Sequence, residues 1–193
     1  MNPPPDIFVP HAPGALPSPW IERFAALVAP GARVLDVACG HGRHARLFAA
    51  RGCHVVAVDR DAAALAALAG EPRIETRAQD LESGRPVLAG ERFDAIVVVN
   101  YLHRPLLPEL LAALTDDGVL LYETFARGNE DYGRPTNPDF LLEPGELLRL
   151  IAGRLVAVAF EQGHVSGPDR DAVIQRIVAV GPGRRWPPAL PTA

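Results

Sequence analysis

The chain has 193 residues, 48% of them hydrophobic and 22% charged, with a formal net charge of −4. That is long enough for one well-cored domain, too apolar for a disordered chain, and without the overall positive charge that draws proteins to nucleic acid. All 19 basic residues are arginine, which excludes Schiff-base and Walker-type lysine chemistry, and no apolar run approaches the ~18 residues of a membrane span. The N-terminus has neither the basic start nor the continuous apolar stretch of a signal peptide, and Cys39 and Cys53 are too few for a disulfide framework. These features predict a cytosolic chain with no membrane partner.

In chain order, residues 1–19 hold seven prolines and read as an extended arm. The arm also holds Ile7, Phe8, Val9 and His11, apolar surface and a histidine that fit a cover over a pocket mouth. Ser18-Pro19 then starts a helix as N-cap and first-turn proline. Strands are expected at Arg33–Ala38, His54–Asp59, Ile74–Ala78, Phe93–Val99 and Gly118–Thr124. Helices are expected at about Gly42–Arg51, Asp61–Ala69 and Pro105–Leu114. Runs such as VVAV and AIVVV are apolar on both faces, as in a parallel sheet covered on both sides. Leu155–Phe160 and Ala172–Val180 are joined by a polar loop without a helix and predict an antiparallel pair at the sheet edge. The expected fold is a doubly wound, mostly parallel seven-stranded α/β sheet with a C-terminal antiparallel hairpin and helices on both faces. The domain spans 20–181 between the arm and a proline-rich tail, 182–193. A polar and aromatic loop of about 16 residues, Phe125–Phe140, reads as a lid or substrate loop.

The chemistry concentrates after the first strand, in VLDVACGHGRHA (Val34–Ala45). Gly40 and Gly42 permit a tight strand-to-helix turn at the crevice where doubly wound sheets bind ligands. A dinucleotide pyrophosphate would be repelled by Asp36 at that turn, whereas an ammonium would be attracted. Asp59 ends the second strand, where a carboxylate accepts ribose hydroxyls, and Asp61 is the better cap for the next helix. Asp80 follows the third strand and either accepts an adenine amino group or starts a turn. Three acids on three successive strands suit a nucleoside with a cationic amino-acid tail, which is S-adenosylmethionine.

VLDVACGHGRHA, VVAVDRD, AQDL and FDAIVVVNYLH together resemble the ordered motifs of the class I, Rossmann-like S-adenosylmethionine-dependent methyltransferases over roughly Trp20–Val180. The layout is most similar to small-molecule methyltransferases of the tellurite-resistance type. The resemblance implies that Asp36, Gly40 and Gly42 line the methionine part of the cofactor. It places Asp59, with Arg60 beside it, at the ribose, Asp80 and Leu81 at the adenine, and Asn100 and Tyr101 under the cofactor, facing the substrate. The family's first glycine is Ala38 here.

Other candidates have two readings each. His103 either begins a helix or accepts a proton near the transferring methyl. Glu123 binds a substrate cation or caps a loop amide; Tyr132, Arg134 and Asn137 contact substrate or close the lid. Cys39, His41 and His44 fit solvated turn residues and packing better than a converging metal site, so no metal is expected. The expected function is methyl transfer from S-adenosylmethionine to a small-molecule acceptor. The rivals are a nicotinamide-dependent reductase, favoured by the loose Gly40-x-Gly42-x-x-Ala45 fingerprint, and a non-catalytic nucleoside-binding module. A nucleic-acid acceptor is disfavoured, because Asn100-Tyr101-Leu102-His103 stands where a base-flipping N-P-P-[YF] motif would.

Overall fold

Side-chain alternation along the strands divides the core into two layers. In β1 (Arg33–Val37), β2 (His54–Asp59) and β4 (Phe93–Val99), successive residues face opposite sides. Val34, Val55, Ala57, Ala95 and Val97 enter one apolar layer; Leu35, Val56, Val58, Ile96 and Val98 enter the other. With β3 (Ile74–Ala78), β5 (Leu114–Phe125), β6 (Val156–Val165) and β7 (Ala172–Val180), they form a seven-stranded sheet in the order β3-β2-β1-β4-β5-β7-β6. Strands β1 to β5 run parallel, and β7 lies antiparallel between β5 and β6. The expected sheet is therefore present. The computed structural model describes residues 14–166 and 171–191. Ile7, Phe8, Val9 and His11 lie outside them.

Three helices cover the first layer: α1 (Pro19–Phe24), α2 (Arg43–Ala50) and α3 (Ala62–Ala66). They contribute Trp20, Phe24, Phe48 and Leu65. Two cover the second: α4 (Leu107–Ala113) and α5 (Glu146–Ile151), which contribute Leu107, Leu110, Leu147 and Ile151. Ser18 caps α1 as its sequence implies, its hydroxyl accepting from the Trp20 and Ile21 N–H groups. Asp61 likewise caps α3, accepting from Ala63 and Ala64.

Several boundaries differ from expectation. Helix α5 was not anticipated: six residues following Pro144-Gly145 give too little periodicity to read. Strand β5 starts at Leu114, which pairs with Phe93 before the register shifts to Ala95 opposite Val119. The chain stays tied to the sheet where the tail begins, because Gly181 and Gly183 donate to the Gly118 and Asp116 carbonyls in the first part of β5. Strand β6 runs five residues past Phe160 to Val165, which shortens the hairpin loop. The segment after β5 is not a plain loop. It holds two 3-10 turns, Asn129–Asp131 and Pro138–Phe140, and returns to the sheet through an Ala126–Leu142 bridge.

The turn from β1 into α2 needs left-handed backbone at Ala38 (φ 52°), Gly40 (φ 54°) and Gly42 (φ 74°). At Gly42 a Cβ would also sit 2.4 Å from the Leu68 side chain, so this glycine lets the turn seat on the end of the α3 segment. Gly42→Ala is expected to cost about 2–4 kcal/mol, the sum of left-handed strain and overpacking. Ala38→Gly is expected to gain about 0.5–1 kcal/mol, since relief of left-handed strain exceeds the added freedom of the unfolded chain. Urea unfolding of both variants checks the two signs.

Candidate functional site

Strand order reverses between β1 and β4, and the carboxyl ends of the strands open there onto a crevice of about 560 Å³, within the range of small-molecule sites. Asp36, Ala38, Gly40, Asp59, Arg60, Asp80, Leu81, Asn100 and Tyr101 all line it. Gly42 does not; it is the N-cap of α2, behind the wall.

Asp59 is more than a free acceptor at the β2 tip. Its Oδ2 accepts from the Gly40 N–H at 2.7 Å and its Oδ1 from the Asp61 N–H at 2.9 Å. One carboxylate thus ties the glycine turn of β1 to the start of α3, and each oxygen retains a lone pair for a ligand. Asp80 makes the turn its position allows, accepting from the Glu82 N–H at 2.9 Å, and still faces the crevice. Asn100 takes left-handed backbone (φ 57°) at the end of β4 and donates its N–H to the Glu123 carbonyl.

Asp36 is 1% exposed, and its Oδ2 has no hydrogen-bond partner among the described residues. Burial raises its pKa to about 7, with a further upward push from Asp59; the Ala45 backbone N–H and the Arg43 charge act in the other direction. Burial, then the charges of Asp36 and Asp59, pushes the Cys39 thiol far up, which keeps it protonated and unsuited to nucleophilic or metal chemistry. No group of three His, Cys, Asp or Glu side chains converges for a metal among the described residues. Burial and the Glu82 charge likewise raise the Tyr101 phenol.

The remaining candidates sit apart from the crevice wall. His103 is the N-cap of a 3-10 turn, Arg104–Leu106, and does not line the crevice. Glu123 is a strut: it accepts from the Ser18 hydroxyl at 2.9 Å and pairs with Arg176, whose guanidinium lies over the Trp20 ring. Tyr132 is exposed and packs its ring on His164. Asn137 caps the 3-10 turn Pro138–Phe140, and a cis bond joins Arg134 to Pro135. From this segment Pro135 and Phe140, not Tyr132, Arg134 or Asn137, reach the crevice.

Arg43, His44, Thr124 and Phe125 also line the site, as do Gly14 and Ala15 of the arm. Among the described residues, bonds to three side chains hold the arm there. Arg43 donates to the Leu16 carbonyl, the Ser18 N–H donates to His44 Nε2, and the Ser18 hydroxyl donates to Glu123. Periodicity assigns Arg43 and His44 to a helix but gives no sign that they receive the arm. A long-range pairing leaves no local pattern.

The raised pKa of Asp36 fixes a sign. The unfolded chain loses this proton near pH 3.8, while the folded chain keeps it to about pH 7. Stability is therefore lost as pH rises through that window. Between pH 5 and pH 8 the ligand-free protein is expected to lose about 2–3 kcal/mol relative to Asp36→Asn, measured as the difference in urea unfolding free energy.

Residues 34–118 match a family described as "Methyltransferase domain". No curated protein matches the chain. Among solved structures, the fold is similar to TehB from Haemophilus influenzae, with a TM-score of 0.68 and 19% identity over 81% of this chain. This chain spans 59% of the length of that one. It is also similar to 1,6-didemethyltoxoflavin-N1-methyltransferase from Burkholderia thailandensis, bound to 1,6-didemethyltoxoflavin and S-adenosylhomocysteine. There the TM-score is 0.61 with 26% identity, covering 82% of this chain and 74% of that one. N-methyltransferase NodS from Bradyrhizobium japonicum, in complex with S-adenosylhomocysteine, shares the fold at a TM-score of 0.59 and 16% identity, covering 84% and 83%. Residues 34–118 thus match a methyltransferase-domain family, and the chain shares its fold with solved methyltransferases.

Proposed function

We propose that the chain transfers a methyl group from S-adenosylmethionine to a small-molecule acceptor in the cytosol, with 20–181 as the working domain. The observation that carries the site assignment is the gathering of Asp36, Asp59 and Asp80, from three adjacent strand tips, around one crevice. The bare Oδ2 of Asp36 meets the cofactor's ammonium, the second lone pairs of Asp59 take the ribose hydroxyls, and Asp80 with Leu81 borders the adenine. Ala38, Gly40 and Arg60 complete that wall, with Asn100 and Tyr101 beneath it. A small acceptor agrees with the relative that acts on 1,6-didemethyltoxoflavin. A cytosolic setting agrees with the lack, among the described residues, of any helix long and apolar enough to cross a membrane.

The cofactor supplies an electrophilic methyl when bound, so the chain's own work is alignment and exclusion of water. Proton removal by His103 loses support from its position outside the crevice wall, and an acceptor that needs no base is favoured. Glu123 acts by holding the arm rather than by meeting substrate, and Tyr132, Arg134 and Asn137 shape the segment that presents Pro135 and Phe140.

Calorimetric titration with S-adenosylhomocysteine and NADH tests the reading. Binding of the first is expected; tight NADH binding alone overturns it in favour of the reductase. Asp59→Ala is expected to weaken S-adenosylhomocysteine binding by about 1.5–3 kcal/mol, because charge-assisted bonds to the ligand and the brace on Gly40 go together. Asp59→Asn, which retains one acceptor oxygen, should lose less. Unchanged affinity in both variants removes Asp59 from the site.

A further inference from the structure

The charged side chains around the crevice are not spread evenly. Every acidic or arginine residue that lines it comes from the tips of β1, β2 and β3 or from α2. The β5 side is built by Thr124 and Phe125 at the end of β5 and by Pro135 and Phe140 from the following segment, whereas Gly14 and Ala15 of the arm sit beside His41, Arg43 and Arg46. None of the four β5-side residues is ionisable. Arg43 stands at the border, already bonded to the Leu16 carbonyl and lying in the fields of Glu123 and Asp36. Phe140 is held as a wall from both sides: Arg104 donates to the Asp139 and Leu141 carbonyls at 2.7 and 2.8 Å, and Glu146 fixes that guanidinium.

We infer that the methyl acceptor is a flat, uncharged ring that lies against Phe125 and Phe140, an inference that rests on the methyltransferase reading. A charged substituent held away from the sulfonium on this side would give up its water with no counter-ion from the chain, which is costly. An aromatic ring instead gains dispersion and edge or face contact with the phenyl walls. The cofactor's own charges fall in the other half, where Asp36 and Arg43 supply complementary groups.

The transfer closes without a basic residue. A lone pair on the acceptor, such as that of a ring nitrogen, forms the new bond to the methyl carbon as the sulfur–methyl bond breaks, and that bonding pair stays on sulfur. The positive charge passes from the sulfonium to the ring. A ring nitrogen with no hydrogen keeps it, and one bearing hydrogen sheds a proton to water.

The test uses three probes that share one nucleophilic ring nitrogen: quinoline, quinoline-6-carboxylate and 6-(aminomethyl)quinoline, each with labelled S-adenosylmethionine. Quinoline is expected to show kcat/KM at least tenfold above both charged analogues. Phe140→Ala, at a partly exposed position, is expected to raise its KM about tenfold while S-adenosylhomocysteine affinity stays unchanged. Where ring methylation is too slow to read, calorimetric binding of the probes to the S-adenosylhomocysteine-loaded protein must give the same order. Equal or better handling of a charged analogue overturns the inference, as does absence of quinoline binding at millimolar concentration. Failure to bind S-adenosylhomocysteine at all would instead bring down the methyltransferase reading itself.

Discussion

The crevice depends on one carboxylate. Asp59, at the tip of β2, accepts from the Gly40 and Asp61 N–H groups and so joins the β1–α2 turn to the beginning of α3. Charge-assisted bonds of this kind are short and directional, and here they set the turn before any ligand arrives. The turn otherwise works against its own sequence, since Ala38 adopts a conformation that L side chains avoid. A strained alanine persists where its neighbours leave the backbone no alternative. The Asp59 brace and the seating of Gly42 against Leu68 are those neighbours.

Around that turn, electrostatics and packing divide the work. The β1–β3 side concentrates polar groups, including a carboxylate that burial holds near neutrality of charge until about pH 7. The β5 side offers two phenyl rings, a proline and a threonine. A doubly wound sheet permits this division because its strand tips fan out in opposite directions from the switch between β1 and β4. Each half of the crevice therefore draws on different strands and tolerates a different chemistry.

What was readable in the chain follows the range of the interactions involved. Strands such as VVAV and AIVVV, capped helices at Ser18 and Asp61, and the closing antiparallel pair are local patterns, and all appear in the structure. The acidic tips were readable too, because strand ends locate them. Contacts with partners distant in sequence were not readable. Glu123 reads either as a substrate group or as a cap for a loop amide, and its partners are Ser18, 105 residues earlier, and Arg176 on the neighbouring strand. Tyr132 had the composition of a lid residue, yet its ring turns to His164, while Phe140 takes the crevice position. Helix α5 escaped notice because six residues span less than two helical turns.

The way the arm is fastened has a thermodynamic consequence. Two of its holds run through Arg43 and His44, side chains that also form the wall of the crevice. A guest that takes the His44 Nε2 lone pair, or the Arg43 Nη1 donor that faces Leu16, competes directly with Ser18 or Leu16. Occupancy and fastening are thus linked functions: whatever free energy a guest takes from the clasp, the clasp returns by the same amount in that guest's dissociation constant.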